Sequence, residues 1–174
     1  CKEKYGFSRY IFLAGSMGGT GALILASIHP ELVDGLGILG AASDIWRYRE
    51  YCRNAAEPQI LHEIYDAIDK HYKPEDYALH NVCSHFEGLT MPFAYYHGID
   101  DKVMPVSEME ALREKMKDFP NATFKAVPGT HDAPLTYIKE IFNKVSGLAD
   151  YISGKEKTES NVNGALNSAY STCT

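Results

Sequence analysis

The chain has 174 residues, of which 45% are hydrophobic, which is enough for one globular domain with a sizeable core. Its formal charge is −6, from 17 basic and 23 acidic residues, and no basic patch stands out, so a nucleic-acid partner is not expected. No apolar run approaches the length that a membrane span requires.

An apolar run near the start of the chain ends in a tight turn around Ser16. A strand is predicted over residues 9–14 and a helix over 18–28, with Gly-Ser-Met between them. The turn matches the pattern G-x-S-x-G with Ala14 at its first position, and this pattern is typical of a nucleophile elbow. Ala14 and Gly18 are both small, and we expect a larger side chain at either position to clash where the backbone of the turn approaches itself. The elbow predicts a serine hydrolase.

Two other interpretations of this turn stay open. It resembles an ordinary glycine-rich strand-to-helix turn in which the serine is incidental. Gly15, Gly18 and Gly21 would also suit a phosphate cradle at a helix N-terminus. Against nucleotide binding, no G-x-G-x-x-G is in register and no G-K-[ST] follows. Asp44, the candidate ribose ligand, comes several residues after the next strand, which is predicted over 33–40.

Residues 43–90 interrupt the alternation of strands and helices. They are helical in character and rich in aromatic side chains, namely Trp46, Tyr48, Tyr51, Tyr65, Tyr72, Tyr77 and Phe86. We expect a small helical lid that shapes the substrate pocket. The alternative is a surface excursion whose aromatic side chains pack into a minor core of their own.

Two aspartates follow the next apolar strand, which is predicted over residues 92–97. Asp100 and Asp101 lie in the loop between this strand and a helix predicted over 106–118. A carboxylate in such a loop orients a catalytic histidine and fixes its tautomer. The residues by themselves leave both aspartates as candidates.

His131 follows the last predicted strand, 122–127, and precedes a helix predicted over 134–152. In an open parallel sheet the carboxyl ends of the strands form the edge where ligands bind. The alternation of elements predicts an α/β fold with a mostly parallel sheet and flanking helices. Ser16, an aspartate and His131 also follow one another in the order serine, acid, histidine, which is typical of α/β-hydrolases.

Three motifs together resemble the C-terminal part of an α/β-hydrolase, in its prolyl-oligopeptidase-like and feruloyl-esterase-like branch. They are Gly15-Ser16-Met17-Gly18-Gly19, His97-Gly98-x-x-Asp101 with Val103 and Pro105, and Gly129-Thr130-His131. The resemblance covers about residues 8–152 and implies an N-terminally truncated α/β-hydrolase fold. Its register selects Asp101 as the acid, with Asp100 as the alternative. His97 precedes the acid and is expected to be structural.

The resemblance implies a triad of Ser16, Asp101 and His131 that cleaves an ester through an acyl-enzyme. The backbone N–H of Met17 is the implied oxyanion donor, and a second donor would come from an earlier loop outside this chain. The chain alone is therefore expected to be slower than a complete enzyme. Two alternatives remain: a prolyl-oligopeptidase-like peptidase acting on short peptides, and a non-catalytic protein that binds a ligand on a hydrolase scaffold.

We expect one α/β-hydrolase domain over residues 1–152, with the lid insert at about 43–90 and a polar, mobile tail over 153–174. Cys52 and Cys83 are expected to be free thiols, although a disulfide between them is conceivable. The histidines show no metal-ligand spacing, so neither a metal nor another cofactor is expected. Compartment and oligomeric state are left open.

Overall fold

Parallel strands form the centre of the molecule. The computed structural model describes residues 2–147; the end of the helix expected over 134–152 and the tail expected over 153–174 lie outside them. Within this range four strands pair in parallel, in the order β1-β2-β3-β4. They are β1 (Ile11–Gly15), β2 (Gly35–Leu39), β3 (Phe93–Gly98) and β4 (Ala122–Val127). Every residue of β2 and β3 is buried, as in central strands covered on both faces. The predicted α/β class is confirmed.

Helices cover both faces of this sheet. The described α-helices are α1 (Lys2–Tyr5), α2 (Ser16–Ile28), α3 (Ile45–Asn54), α4 (Ile60–His71), α5 (Pro74–Leu79), α6 (Ser107–Lys115) and α7 (Ile138–Ser146). Leu36 and Ile38 pack with α2 and α6 in one apolar cluster, whereas Leu39 packs with α7 in another. Because alternate residues of a strand point to opposite faces, α2 and α6 cover one face and α7 covers the other.

Several element boundaries differ from the expected ones by a few residues, and the starts of two helices differ for a clear structural reason. α2 begins at Ser16 and not at Gly18, because the chain passes from β1 into the helix without a loop residue. A 3₁₀ turn over Ala133–Tyr137 precedes α7, which begins only at Ile138. Pro134 lies in the first turn of that segment, where its missing N–H would have no helical acceptor in any case.

The insert over residues 43–90 is helical, as predicted. It contains α3, α4, α5 and two 3₁₀ turns, Val82–Ser84 and Phe86–Gly88. Its helices share an apolar cluster whose buried members include Tyr48, Cys52 and Leu61, with Tyr51, Tyr65, Tyr72 and Tyr77 packed against it. Most of the insert's aromatic side chains therefore serve its own core, whereas Trp46 is 52% exposed.

The insert also packs against the loop that follows β3. Met104 of that loop is fully buried within the insert's apolar cluster. The Tyr48 hydroxyl donates to the Val103 carbonyl at 3.2 Å, and the Tyr51 hydroxyl donates to the Lys102 carbonyl at 2.7 Å. α3 thus holds the loop that begins at Asp101.

A buried carboxylate joins the insert to α6. Glu108 is fully buried, and its carboxylate accepts the backbone N–H groups of Ser43 at 3.0 Å and Asp44 at 3.1 Å. The guanidinium of Arg47 donates to the same carboxylate through Nε at 2.7 Å and Nη2 at 2.9 Å. Burial lowers the pKa of Arg47, but its hydrogen bonds and ion pair with Glu108 outweigh this and raise it above the ordinary value.

Replacement of this carboxylate is expected to destabilise the fold. The change Glu108→Gln puts an NH₂ group against either a backbone N–H or the guanidinium of Arg47. We expect the free energy of unfolding, measured by urea denaturation, to fall by about 2–3 kcal/mol. Glu114→Gln is the matched control, because Glu114 is exposed and pairs only with Lys117 in the next turn. An equal urea midpoint for wild type and Glu108→Gln would contradict a structural role for the buried pair.

Candidate active site

Ser16 occupies a strained backbone position between β1 and α2. Its φ is +54°, and among the described residues it alone combines a positive φ with a side chain. This left-handed conformation costs an L-residue about 1–2 kcal/mol and persists only where the surroundings enforce it. Here the N–H of Ser16 donates to the carbonyl of Gly40 at 3.0 Å. The geometry is that of a sharp strand-to-helix turn presenting a hydroxyl group.

The small residues of the turn have a different purpose from the one predicted. Apart from its chain neighbours and the backbone of its own helix, no described atom lies within 4 Å of a Cβ built on Gly18, so the expected clash at that position is wrong. The close approach occurs one residue later. A Cβ on Gly19 would lie 2.9 Å from the Ala41 Cβ and 3.1 Å from the Ala14 carbonyl oxygen. Gly19 faces the segment after β2, whereas Gly18 faces outward.

The Thr20 hydroxyl links this turn by hydrogen bonds to the segment that follows β2. Its hydroxyl oxygen accepts the N–H of Ala42 at 3.0 Å, and the hydroxyl lies 3.4 Å from the Ser16 carbonyl oxygen, to which it donates. Met17, next to the serine, is the second residue of α2. Its N–H belongs to the first helical turn, where no intrahelical acceptor exists and the helix dipole favours negative charge. The oxyanion role of Met17 remains a prediction.

Asp101 lies in the loop after β3, three residues beyond its last residue, and is only 6% exposed. One carboxylate oxygen, Oδ1, accepts the backbone N–H groups of Val103 and Met104, each at 2.9 Å. The other, Oδ2, lies 2.6 Å from Nδ1 of His131. Asp100 is exposed and makes no such contact. Of the two candidate aspartates, the fold brings Asp101 to the histidine.

His97 also contacts this carboxylate, which the sequence motif did not reveal. Its side chain is fully buried; Nε2 lies 2.7 Å from the Met104 carbonyl oxygen and 3.4 Å from Asp101 Oδ2. An imidazole nitrogen that close to a carbonyl carries the proton, so Nε2 is a donor. Burial raises the pKa of Asp101, but the hydrogen bonds from His97, His131 and the backbone outweigh it and lower the pKa below its ordinary value. The group therefore remains an ionised carboxylate.

His131 follows β4 and is partly open to solvent, with 24% of its side chain exposed. Because Asp101 is ionised, Nδ1 of His131 donates to it, which leaves the lone pair of the imidazole on Nε2. Within residues 2–147 no hydrogen bond joins His131 to Ser16. Gly40 lies next to both, since its carbonyl accepts the N–H of Ser16 and a Cβ built on it would lie 3.5 Å from His131 Nδ1. The hydrogen bond between a catalytic base and its nucleophile is often long without substrate and tightens only in the complex with substrate.

Solved structures share this architecture at low sequence identity. An α/β-hydrolase enzyme from a sediment metagenome of the Mar Chica lagoon, Morocco, matches 90% of the chain with 19% identity and a TM-score of 0.51. An esterase of Pyrococcus furiosus matches 87% with 16% identity and a TM-score of 0.60. A puromycin-hydrolysing peptidase of Mycobacterium tuberculosis matches 78% with 14% identity and a TM-score of 0.60. The chain has the α/β-hydrolase fold.

This match covers only part of each α/β-hydrolase neighbour. The chain spans 66% of the metagenomic enzyme, 56% of the esterase and 21% of the peptidase. No protein-family model matches the chain, and no curated protein sequence matches it. At these identities the likeness establishes the fold alone.

A cavity of about 360 Å³ lies between α3 and the start of α6. Its lining consists of Arg47, Glu50, Tyr51, Asn54, Ala55, Pro105, Ser107 and Glu108. None of Ser16, Asp101 and His131 belongs to it. The expectation that the insert shapes a substrate pocket above Ser16 therefore stays a prediction.

Within residues 2–147 no group of three His, Cys, Asp or Glu side chains is placed to hold a metal ion. Cys52 is buried and Cys83 partly buried, and both are free thiols, as expected; burial raises the pKa of the Cys52 thiol. None of the helices in this range combines the length and apolar character that crossing a membrane requires.

Proposed function

We propose that this chain is a serine hydrolase that cleaves a carboxylic ester through an acyl-enzyme intermediate. The proposal is carried by one observation: the 2.6 Å pair of Asp101 and His131 stands at the same sheet edge as Ser16. A serine held at positive φ at the entrance to a helix, with a histidine–carboxylate pair from two later strands, fits nucleophilic acyl transfer. The α/β-hydrolase fold and its esterase neighbour support this assignment.

The reaction follows from the tautomer that Asp101 imposes. Nε2 of His131 takes the proton of Ser16 Oγ as that oxygen bonds to the ester carbonyl carbon. The C–O bond to the alcohol then breaks, and His131 gives its proton to the departing oxygen. Water attacks the acyl-serine in the same way, releasing the carboxylic acid and returning the proton to Ser16. Asp101 remains ionised and stabilises the imidazolium in both steps.

The developing oxyanion needs a donor, for which we propose the N–H of Met17. This group lies at the N-terminus of α2, where unsatisfied N–H groups concentrate positive charge. One such donor contributes a factor of about 10²–10³ to kcat. The N–H of Ser16 is not free for this role, because it already donates to Gly40.

A peptidase is the second candidate, because the M. tuberculosis peptidase has the same TM-score, 0.60, as the esterase. The same triad cleaves amides when His131 protonates the departing amine. The three residues therefore do not decide between the two substrate classes.

A direct comparison of substrates tests the proposal. We expect the chain to release p-nitrophenol from short-chain p-nitrophenyl esters with an initial burst, because the good leaving group makes hydrolysis of the acyl-enzyme the slow step, and to act more slowly on aminoacyl p-nitroanilides. The control is the same protein treated beforehand with a fluorophosphonate. Faster anilide cleavage would favour the peptidase. Ligand binding without turnover or labelling would instead indicate a non-catalytic scaffold.

A further inference from the structure

Gly40, directly after β2, lies between the two halves of the candidate site. Its carbonyl accepts the N–H of Ser16 at 3.0 Å, and its own N–H donates to the Tyr96 carbonyl at 3.0 Å. Its φ is +53°, in the left-handed region that glycine adopts freely and other residues adopt at a cost. The backbone at this position is therefore fixed on one side by the serine turn and on the other by β3.

The side of Gly40 where a side chain would stand faces the hydrogen bond between Asp101 and His131. A Cβ built there would lie 3.3 Å from Asp101 Oδ2, 3.5 Å from His131 Nδ1 and 3.6 Å from His131 Cε1. The first distance is tighter than about nine in ten real Cβ contacts, so a methyl group would push the carboxylate, the imidazole or both by a few tenths of an ångström.

Asp101 and His131 differ in how firmly their side chains are held. Asp101 is buried, and two backbone N–H groups together with His97 hold its carboxylate. His131 stands on a loop and is 24% exposed, with Asp101 as its one hydrogen-bond partner in the described residues. A side chain at position 40 would therefore displace mainly the imidazole, the group that must approach Ser16.

We infer that Gly40 is a positioning residue for acyl transfer. Its missing side chain lets the pair of Asp101 and His131 pack against the same peptide whose carbonyl holds the N–H of Ser16. It sets the distance between base and nucleophile without touching either reacting atom. This inference rests on the proposed function.

The test is Gly40→Ala, compared with Gly147→Ala. Gly147 ends α7 at a φ of +66°, and among the described residues the nearest atom to its Cβ position is Arg9 Nη2 at 4.0 Å, so it carries a similar backbone cost away from the site. We expect Gly40→Ala to lower kcat for a p-nitrophenyl ester about three- to tenfold, since a displacement of 1 Å costs about 10²-fold and the displacement here is a few tenths of an ångström. KM should stay within about twofold, because no substrate contact is removed. Gly147→Ala should lower Tm with both constants unchanged.

The outcomes separate this inference from the proposed function. If wild type is neither labelled by a fluorophosphonate nor active on esters, the proposed function fails and the inference falls with it. If wild type is active and Gly40→Ala keeps its kcat, with or without a rise in KM, the inference alone is overturned. Gly40→Asn provides a second variant, since asparagine tolerates positive φ while still placing a Cβ against the pair. If neither variant folds although Gly147→Ala does, Gly40 serves the fold and the inference is wrong.

Discussion

Replacement of Ser16 by alanine is expected to abolish covalent labelling by a fluorophosphonate and to lower ester hydrolysis by about 10⁴-fold or more. The reagent needs the Oγ that His131 activates, and alanine removes this atom without changing Cβ. Labelling is followed by intact mass, with one adduct per chain expected for wild type. Ser107→Ala is the matched control, because Ser107 also opens a helix and is exposed but has no positive φ.

The strain at Ser16 gives a second readout in the same series. Alanine has the same positive-φ penalty as serine, so Ser16→Ala should leave the free energy of unfolding nearly unchanged. Ser16→Gly should raise it by about 1 kcal/mol, since glycine adopts this conformation without cost. An adduct that persists in Ser16→Ala would contradict the assignment of the nucleophile.

Replacement of Asp101 by asparagine is expected to lower kcat by about 10⁴-fold while the chain still folds. Asparagine keeps an oxygen for the N–H groups of Val103 and Met104, but its NH₂ group then faces His131 Nδ1. An NH₂ donor there makes Nδ1 an acceptor, which moves the imidazole proton to Nε2. His131 then cannot take the proton of Ser16.

Asp100→Asn controls for the change of charge in the same loop, because Asp100 is exposed and lies outside the histidine contact. We expect its kcat to stay within about twofold of wild type, as for most surface substitutions. Equal losses in the two variants, or a loss in Asp100→Asn alone, would show that the wrong aspartate has been assigned. Urea denaturation of each variant separates lost chemistry from lost fold.

Much of the fold and of the candidate site was predictable because its signals are local. Apolar runs followed by turns located all four strands, with errors of about two residues at their ends. Ser16 and His131 each follow a strand, so the topology of a parallel sheet brings them to one edge. The choice of Asp101 over Asp100 depended on the motif register, and the structure places Asp101 against His131.

The remainder depends on contacts between distant segments, which no local pattern encodes. Gly18 and Gly19 are equivalent in the sequence, yet only Gly19 meets the segment after β2. His97 is an exception, because it lies only four residues before Asp101; its contact with that carboxylate depends on how the chain turns after β3. The role of Glu108 likewise depends on the contact between α3 and α6, because Arg47 and Glu108 are 61 residues apart in the sequence. Such features follow from tertiary packing and not from periodicity.

We propose that Ser16, His131 and Asp101 act together, and the decisive experiment is a crystal structure of the fluorophosphonate adduct. We expect phosphorus bonded to Ser16 Oγ, with a phosphoryl oxygen within about 3.1 Å of the Met17 nitrogen. We also expect His131 Nε2 within about 3.2 Å of Ser16 Oγ, with Nδ1 still on Asp101. Phosphorus on another side chain, or an imidazole turned away from the adduct, would show that the three residues do not form a triad.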